Sequence, residues 1–179
     1  MLETLKAYAE AQTIVSVYTN EQDTSEYDCG VLNVVDEEWA ILNSVAPQGI
    51  YDGYRLLRTD DIYRIDAYGP YEDKIRYYAR SWPEKHAVDF GTSPDVLHGF
   101  FNVCIQKGWL LSVELANSGE RDVTGILKDY TWESVTLRGV DNYGHKDSLS
   151  TLLTERITNI DADSLYCRAR LYAARPEDD

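Results

Sequence analysis

One 38-residue stretch of this chain occurs twice: residues 30–67 match residues 125–162 without a gap, at a constant offset of 95 and with 13 identical pairs. The identities include Gly30/Gly125, Leu32/Leu127, Leu42/Leu137, Val45/Val140, Gly49/Gly144, Asp52/Asp147, Leu57/Leu152, Ile62/Ile157, and Ile65-Asp66-Ala67 against Ile160-Asp161-Ala162. A repeat that keeps glycines and apolar positions while its polar residues drift has retained a backbone rather than a shared active site. Over 179 residues it implies two units of about 80–90 residues on ordinary domain-size grounds. We expect a first unit over 1–82, a linker over 83–92, and a second unit over 93–179 that ends in an acidic tail.

Each unit opens with a helix signal. In the second, Ser93 suits an N-cap, Pro94 the first helical position and Asp95 the dipole, and Gly108 follows as a stop. Between them Val96, Leu97, Phe100, Phe101, Cys104 and Ile105 recur at helical spacing, and Leu2, Leu5, Tyr8 and Ala9 form a weaker stripe in the first. The period then changes to two. Thr13–Tyr18 and Trp109–Leu115 suit a first strand, and GVLNVVDEEWAILNSV and GILKDYTWESVTLRGV are each long enough for two strands joined by a tight turn at 36–38 or 131–133. A glycine loop follows, with Gly49/Gly144 and Asp52/Asp147 as structural turn residues alongside Gly30/Gly125. Two short strands come next, Tyr54–Arg58 and Ile62–Asp66, repeated at Leu149–Leu153 and Ile157–Asp161. Alternation in Asp73–Arg80 and Asp163–Arg170 predicts a sixth strand, or an extension of the fifth, in both units. Arg76, Arg80, Arg168 and Arg170 then lie on the exposed face, opposite inward Ile75, Tyr77, Cys167 and Ala169, and the first copy carries five extra residues near Gly69-Pro70.

A helix followed by five short antiparallel strands, done twice, resembles the Sm-like (LSm) fold. In GVLNVVDEEWAIL the glycine, the apolar residue two on, the turn aspartate and the apolar residues beyond are similar to the first Sm motif, and DDIYRI and ERITNI are similar to the end of the second. The resemblance implies a mainly β chain with short helices: two tandem SH3-type small barrels, each preceded by an N-terminal helix. The departures bear on function. Where RNA-binding Sm proteins carry their base-binding asparagine, this chain has Ala40 and Val135; the motif aspartate is Asp36 in one copy and Thr131 in the other; Asp60-Asp61 and Glu155-Arg156 replace the arginine-glycine pair. We therefore expect no uridine pocket of the usual Sm kind.

Charge narrows the partners. Thirty-one acidic residues against 17 basic give a net charge of −14, the wrong sign for counterion release from a phosphate backbone, and one that suits a basic protein. The start, MLETLKAYAEAQ, lacks the apolar core of a signal peptide, and no run approaches the roughly 18 apolar residues of a membrane span. A cytoplasmic protein with no membrane partner is expected, with Cys29, Cys104 and Cys167 as reduced, buried thiols.

For chemistry, the sequence offers little. Asp89-Phe90-Gly91 lacks the other kinase signatures, and His86, His98 and His145 are isolated. The acidic clusters at 36–38, 60–61 and 72–73 read as solvated turns. We expect no catalytic set, no metal and no cofactor. The tyrosines are more telling: 14 occur, and Tyr51, Tyr54, Tyr63, Tyr68, Tyr71, Tyr77 and Tyr78 crowd beside Arg55, Arg58, Arg64, Arg76 and Arg80. Aromatics mixed with arginines are common to protein hot spots and base-stacking platforms, so Tyr51, Tyr54, Tyr63, Arg55, Arg58 and Arg64 form the candidate binding surface. The expected function is a non-enzymatic protein-binding or scaffold module, monomeric or a small dimer. The alternatives are an RNA-associated protein using a non-standard surface and an acidic decoy of a nucleic-acid-binding protein's ligand.

Overall fold

The computed structural model describes residues 1–79, 88–91 and 95–173. Its elements are α1 (Leu2–Glu10), β1 (Ile14–Tyr18), β2 (Asp28–Val35), β3 (Trp39–Val45), β4 (Tyr51–Arg58), β5 (Arg64–Ala67), α2 (Pro70–Ala79), α3 (Val96–Lys107), β6 (Leu110–Leu115), β7 (Val123–Tyr130), β8 (Ser134–Val140), β9 (Lys146–Leu153), β10 (Ile157–Ala162) and α4 (Leu165–Ala173), with a short 3-10 turn at Thr154–Arg156. The chain is mainly β. It divides into two compact units, Met1–Phe100 and Phe101–Asp179, so the division falls inside α3. Ser93, Pro94 and most of the expected linker at 83–92 lie outside the described residues. Asp95 caps α3, accepting from the His98 amide at 3.0 Å.

The first unit orders its strands β5-β1-β2-β3-β4 and the second β10-β6-β7-β8-β9, with every neighbouring pair antiparallel. Closing a barrel requires the end strands to tilt and stagger onto one another. Among the described residues no pairing joins β5 to β4, or β10 to β9, so neither set of five strands closes on itself into the expected barrel and the sheet is open.

The offset of 95 holds in the hydrogen-bonded register. Gly30 faces Ser44, Leu32 faces Leu42 and Val35 faces Ala40; in the second unit Gly125 faces Gly139, Leu127 faces Leu137 and Tyr130 faces Val135. Both ladders slip at one place, between Leu32 and Val34 and between Leu127 and Asp129. The turn after each third strand also repeats: the Gly49 amide donates to Ala46 O at 2.8 Å, and that of Gly144 to Asp141 O at 3.0 Å, with φ of +76° and +83°. Gly30 and Gly125 serve differently from the expected turns. They sit within strands, where a Cβ would lie 2.1 Å from Asn43 O and 2.5 Å from Arg138 O. Asp52 and Asp147 are the second residues of β4 and β9, and Asp147 accepts from the Ser148 amide at 2.8 Å; in the loop before β9, Asp141 accepts from the amides of Tyr143 and His145, each at 2.8 Å.

The expected sixth strands are helices. Pro70 occupies the first turn of α2, Glu72 reaches back to the Gly69 amide at 3.1 Å, and buried Glu72, Ile75 and Ala79 follow helical spacing. Tyr77, expected inward, is therefore exposed, while Arg76 pairs with Asp73 at 3.0 Å, and Arg80 lies outside the described residues. In α4 Ser164 accepts from the Cys167 amide at 3.2 Å, Cys167 joins Leu110 and Val140 in the core, and Ala169 is exposed. Each helix starts three residues after its strand ends, Ala67 to Pro70 and Ala162 to Leu165, so the inferred five-residue insertion is absent. Tyr68 and Asp163 turn the chain at the same point, both left-handed, with φ of +61° and +52°.

Alternation along β1 divides its side chains between two environments. Val15 and Val17 enter the first unit's core with Leu5, Leu32, Leu42, Leu57 and Ile62. Ser16 and Tyr18 face the other way.

Candidate functional site

On that second face of β1, the start of α2 and the loop before β2 enclose a cleft of about 530 Å³ lined by Tyr8, Ser16, Tyr18, Tyr27, Asp66, Tyr71 and Glu72 among others. The tyrosine rings meet at angles: Tyr18 and Tyr27 lie 5.4 Å apart and tilted, Tyr27 and Tyr71 5.3 Å apart and edge-on. Tyr18 donates to Asp66 at 3.0 Å, and Arg64 grips the same carboxylate at 2.5 and 3.0 Å while its guanidinium lies 4.3 Å from the centre of the Tyr18 ring.

Glu72 forms the floor. It is 5% exposed, its carboxylate takes the Ser16 hydroxyl at 2.5 Å and the Gly69 amide, and among the described residues no cation pairs with it. A buried carboxylate ordinarily needs a cation or several donors; here a hydroxyl, one amide and the start of α2 carry it. Burial pushes the neighbouring Cys29 thiol up to about 12, and raises the Tyr71 phenol well above its ordinary value, so both stay neutral beside it.

The sequence-derived surface does not assemble as expected. Tyr51 and Tyr54 are buried, Tyr54 packing edge-on against Phe90 at 4.9 Å, and Phe90 stacks on Phe100. Arg55 pairs with Asp28, and Arg58 lies 4.2 Å over the Trp39 ring. Tyr63 and Arg64 do reach the tyrosine cluster, Tyr63 through Tyr18 at 6.4 Å. Tyr8, Ser16, Tyr18, Tyr27 and Glu72 were missed as members of a site. The signals for two of them were present: period-two spacing puts Ser16 and Tyr18 on one strand face, and Gly69-Pro70 followed by Glu72 is a helix start.

Other candidates resolve into structural roles. Asp36, read as a solvated turn, is 7% exposed; it accepts from the amides of Glu38 at 2.9 Å, Trp39 at 2.7 Å and Val96 at 2.9 Å. Thr131 does the same for Glu133 and Ser134 at 3.2 and 3.1 Å. Ala40 and Val135 are fully buried, so neither presents a side chain to a base. Asp66 accepts from Tyr18 and pairs with Arg64, and Asp161 lies 3.9 Å from Arg121. His98 meets Asp95 within the α3 cap, His145 meets Asp141 within a turn, and His86 lies outside the described residues. Among the described residues no three His, Cys, Asp or Glu side chains are placed to share a metal ion, and no helix is long and apolar enough to cross a membrane.

The thiols carry a pH prediction. Cys29, Cys104 and Cys167 are buried and free; burial raises all three, Cys29 to about 12 and Cys167 to about 11. An unfolded thiol ionises near 8.5, so the unfolded state loses these protons first. The stability they contribute is present below about pH 8.5 and is lost as pH rises towards about 12. Urea unfolding at pH 8 and pH 11 should show the decline, and substitution by serine should reduce it. Rapid reaction of all three thiols with a disulfide reagent in the native protein at pH 8 would contradict their burial.

Comparison of the chain with protein-family models, curated proteins and solved structures finds no match.

Proposed function

We propose that the chain is a non-enzymatic binding module of two Sm-like units, and that it holds a protein partner through the tyrosine-lined cleft of the first. The observation that carries the reading is Glu72: a buried carboxylate that no cation pairs with among the described residues, ringed by tyrosines, where the second unit has Cys167. The element order, helix then five antiparallel strands in the order β5-β1-β2-β3-β4, supports the Sm-like assignment. Non-enzymatic function is favoured by the fate of the reactive residue types: the thiols are buried and held protonated, and two histidines serve a helix cap and a turn. A protein is favoured over RNA by the charge of −14 and by the arginines, since Arg55 and Arg64 are held by Asp28 and Asp66.

The test is affinity capture from the native host with and without nuclease treatment, reading both protein and RNA. The expected result is a basic protein that survives nuclease and is lost when Tyr27 and Tyr71 are both changed to leucine. Recovery of RNA alone, or a protein bridged by RNA, would contradict the reading.

A further inference from the structure

We infer that the cleft of the first unit receives the guanidinium of an arginine side chain from a protein partner. This rests on the binding-module reading above and names the chemistry of its ligand. The template is the chain's own second copy. The shared registers make Asp161 equivalent to Asp66, Ser112 to Ser16, Tyr166 to Tyr71 and Cys167 to Glu72. In the second copy the tyrosine carries cations from its own unit: the Arg121 guanidinium lies 4.5 Å from the Tyr166 ring centre and that of Arg170 5.4 Å, with Arg121 also 3.9 Å from Asp161.

The first copy keeps the tyrosine and the aspartate but replaces the cations. Position 26, equivalent to Arg121, is glutamate, and position 75, equivalent to Arg170, is a fully buried isoleucine. Among the described residues no cation lies on Tyr71. Where the second copy has neutral Cys167, the first has the buried Glu72 carboxylate. In the second copy one guanidinium serves both the tyrosine and the aspartate; in the first, Arg64 is engaged with Asp66 and Tyr18, and among the described residues Tyr71 beside the Glu72 carboxylate has none. Arg64 over Tyr18 shows that this wall already accepts a guanidinium on a ring face. A planar fork can stack on Tyr71 or Tyr27 while meeting a carboxylate, which a lysine ammonium does less well.

The experiment titrates the full chain with acetyl-Gly-Arg-Gly amide and its lysine counterpart, following backbone amides by NMR. The arginine peptide should saturably shift the amides of Ser16, Gly69, Tyr71 and Glu72, with the lysine peptide at least threefold weaker. Glu72→Gln, nearly isosteric, should weaken the arginine peptide at least tenfold. Tyr27→Leu, at the exposed rim, should do the same if the first variant fails to fold. No saturable shift at millimolar peptide, equal binding of lysine, or indifference to both substitutions would overturn the inference. A partner captured equally well by Glu72→Gln would also overturn it while leaving the binding-module reading standing.

Discussion

Replacing Asp36 with alanine is expected to lower the unfolding free energy by about 3–5 kcal/mol, since hydrogen bonds to a charged group contribute about 1.5–3 kcal/mol each and their loss leaves buried donors unpaired. The carboxylate joins three segments of the first unit: its own turn, the first residue of β3 and the first residue of α3. The second copy provides the control. Thr131 accepts from the same two turn amides and has no second oxygen for a helix. Asp36→Thr should therefore keep the turn and lose only the bond to Val96, at about 1–2 kcal/mol, and Thr131→Ala should cost about 1 kcal/mol. Urea unfolding of the three variants orders them; a loss under about 1 kcal/mol for Asp36→Ala would show that the three-way contact is not formed.

Gly30→Ala is expected to cost about 3 kcal/mol or more, at the upper end for overpacking, because the obstacle is backbone. The added Cβ would meet Asn43 O at 2.1 Å and Asn43 C at 2.9 Å, and neither atom can move without displacing β3 from β2. Gly125→Ala meets Arg138 O at 2.5 Å and should follow, somewhat less severely. Gly91 separates steric crowding from backbone strain, having φ +81° but nothing within 4 Å of its Cβ direction. Gly91→Ala should cost only about 1 kcal/mol. Thermal unfolding that placed Gly30→Ala beside Gly91→Ala would contradict the close strand approach.

The repeat made most of the sheet legible. Spacing of Gly30, Leu32 and Leu42 against Gly125, Leu127 and Leu137 fixes both the strands and their register, since a one-residue slip would turn the apolar set outward. The segments after β5 and β10 were misread because Ile75 and Tyr77 alternate over a few residues, a window too short to separate a period of two from one of 3.6. The start signals at Gly69-Pro70-Glu72 and Ser164 carried the answer. Glu72 read as solvent-facing because sequence shows charge and not burial; its burial depends on Ser16, 56 residues away. The cleft was invisible for the same reason. Tyr8, Tyr18, Tyr27 and Tyr71 come from a helix, a strand end, a loop and a second helix, and no local pattern joins them.

The most direct test of one backbone used twice is a set of interstrand nuclear Overhauser contacts in the full chain. The account predicts Gly30 with Ser44, Leu32 with Leu42 and Val34 with Ile41 in the first unit. It predicts Gly125 with Gly139, Leu127 with Leu137 and Asp129 with Thr136 in the second, with the slip after Leu32 repeated after Leu127. Contacts displaced by a residue in one unit relative to the other, or a second unit without the ladder, would contradict it.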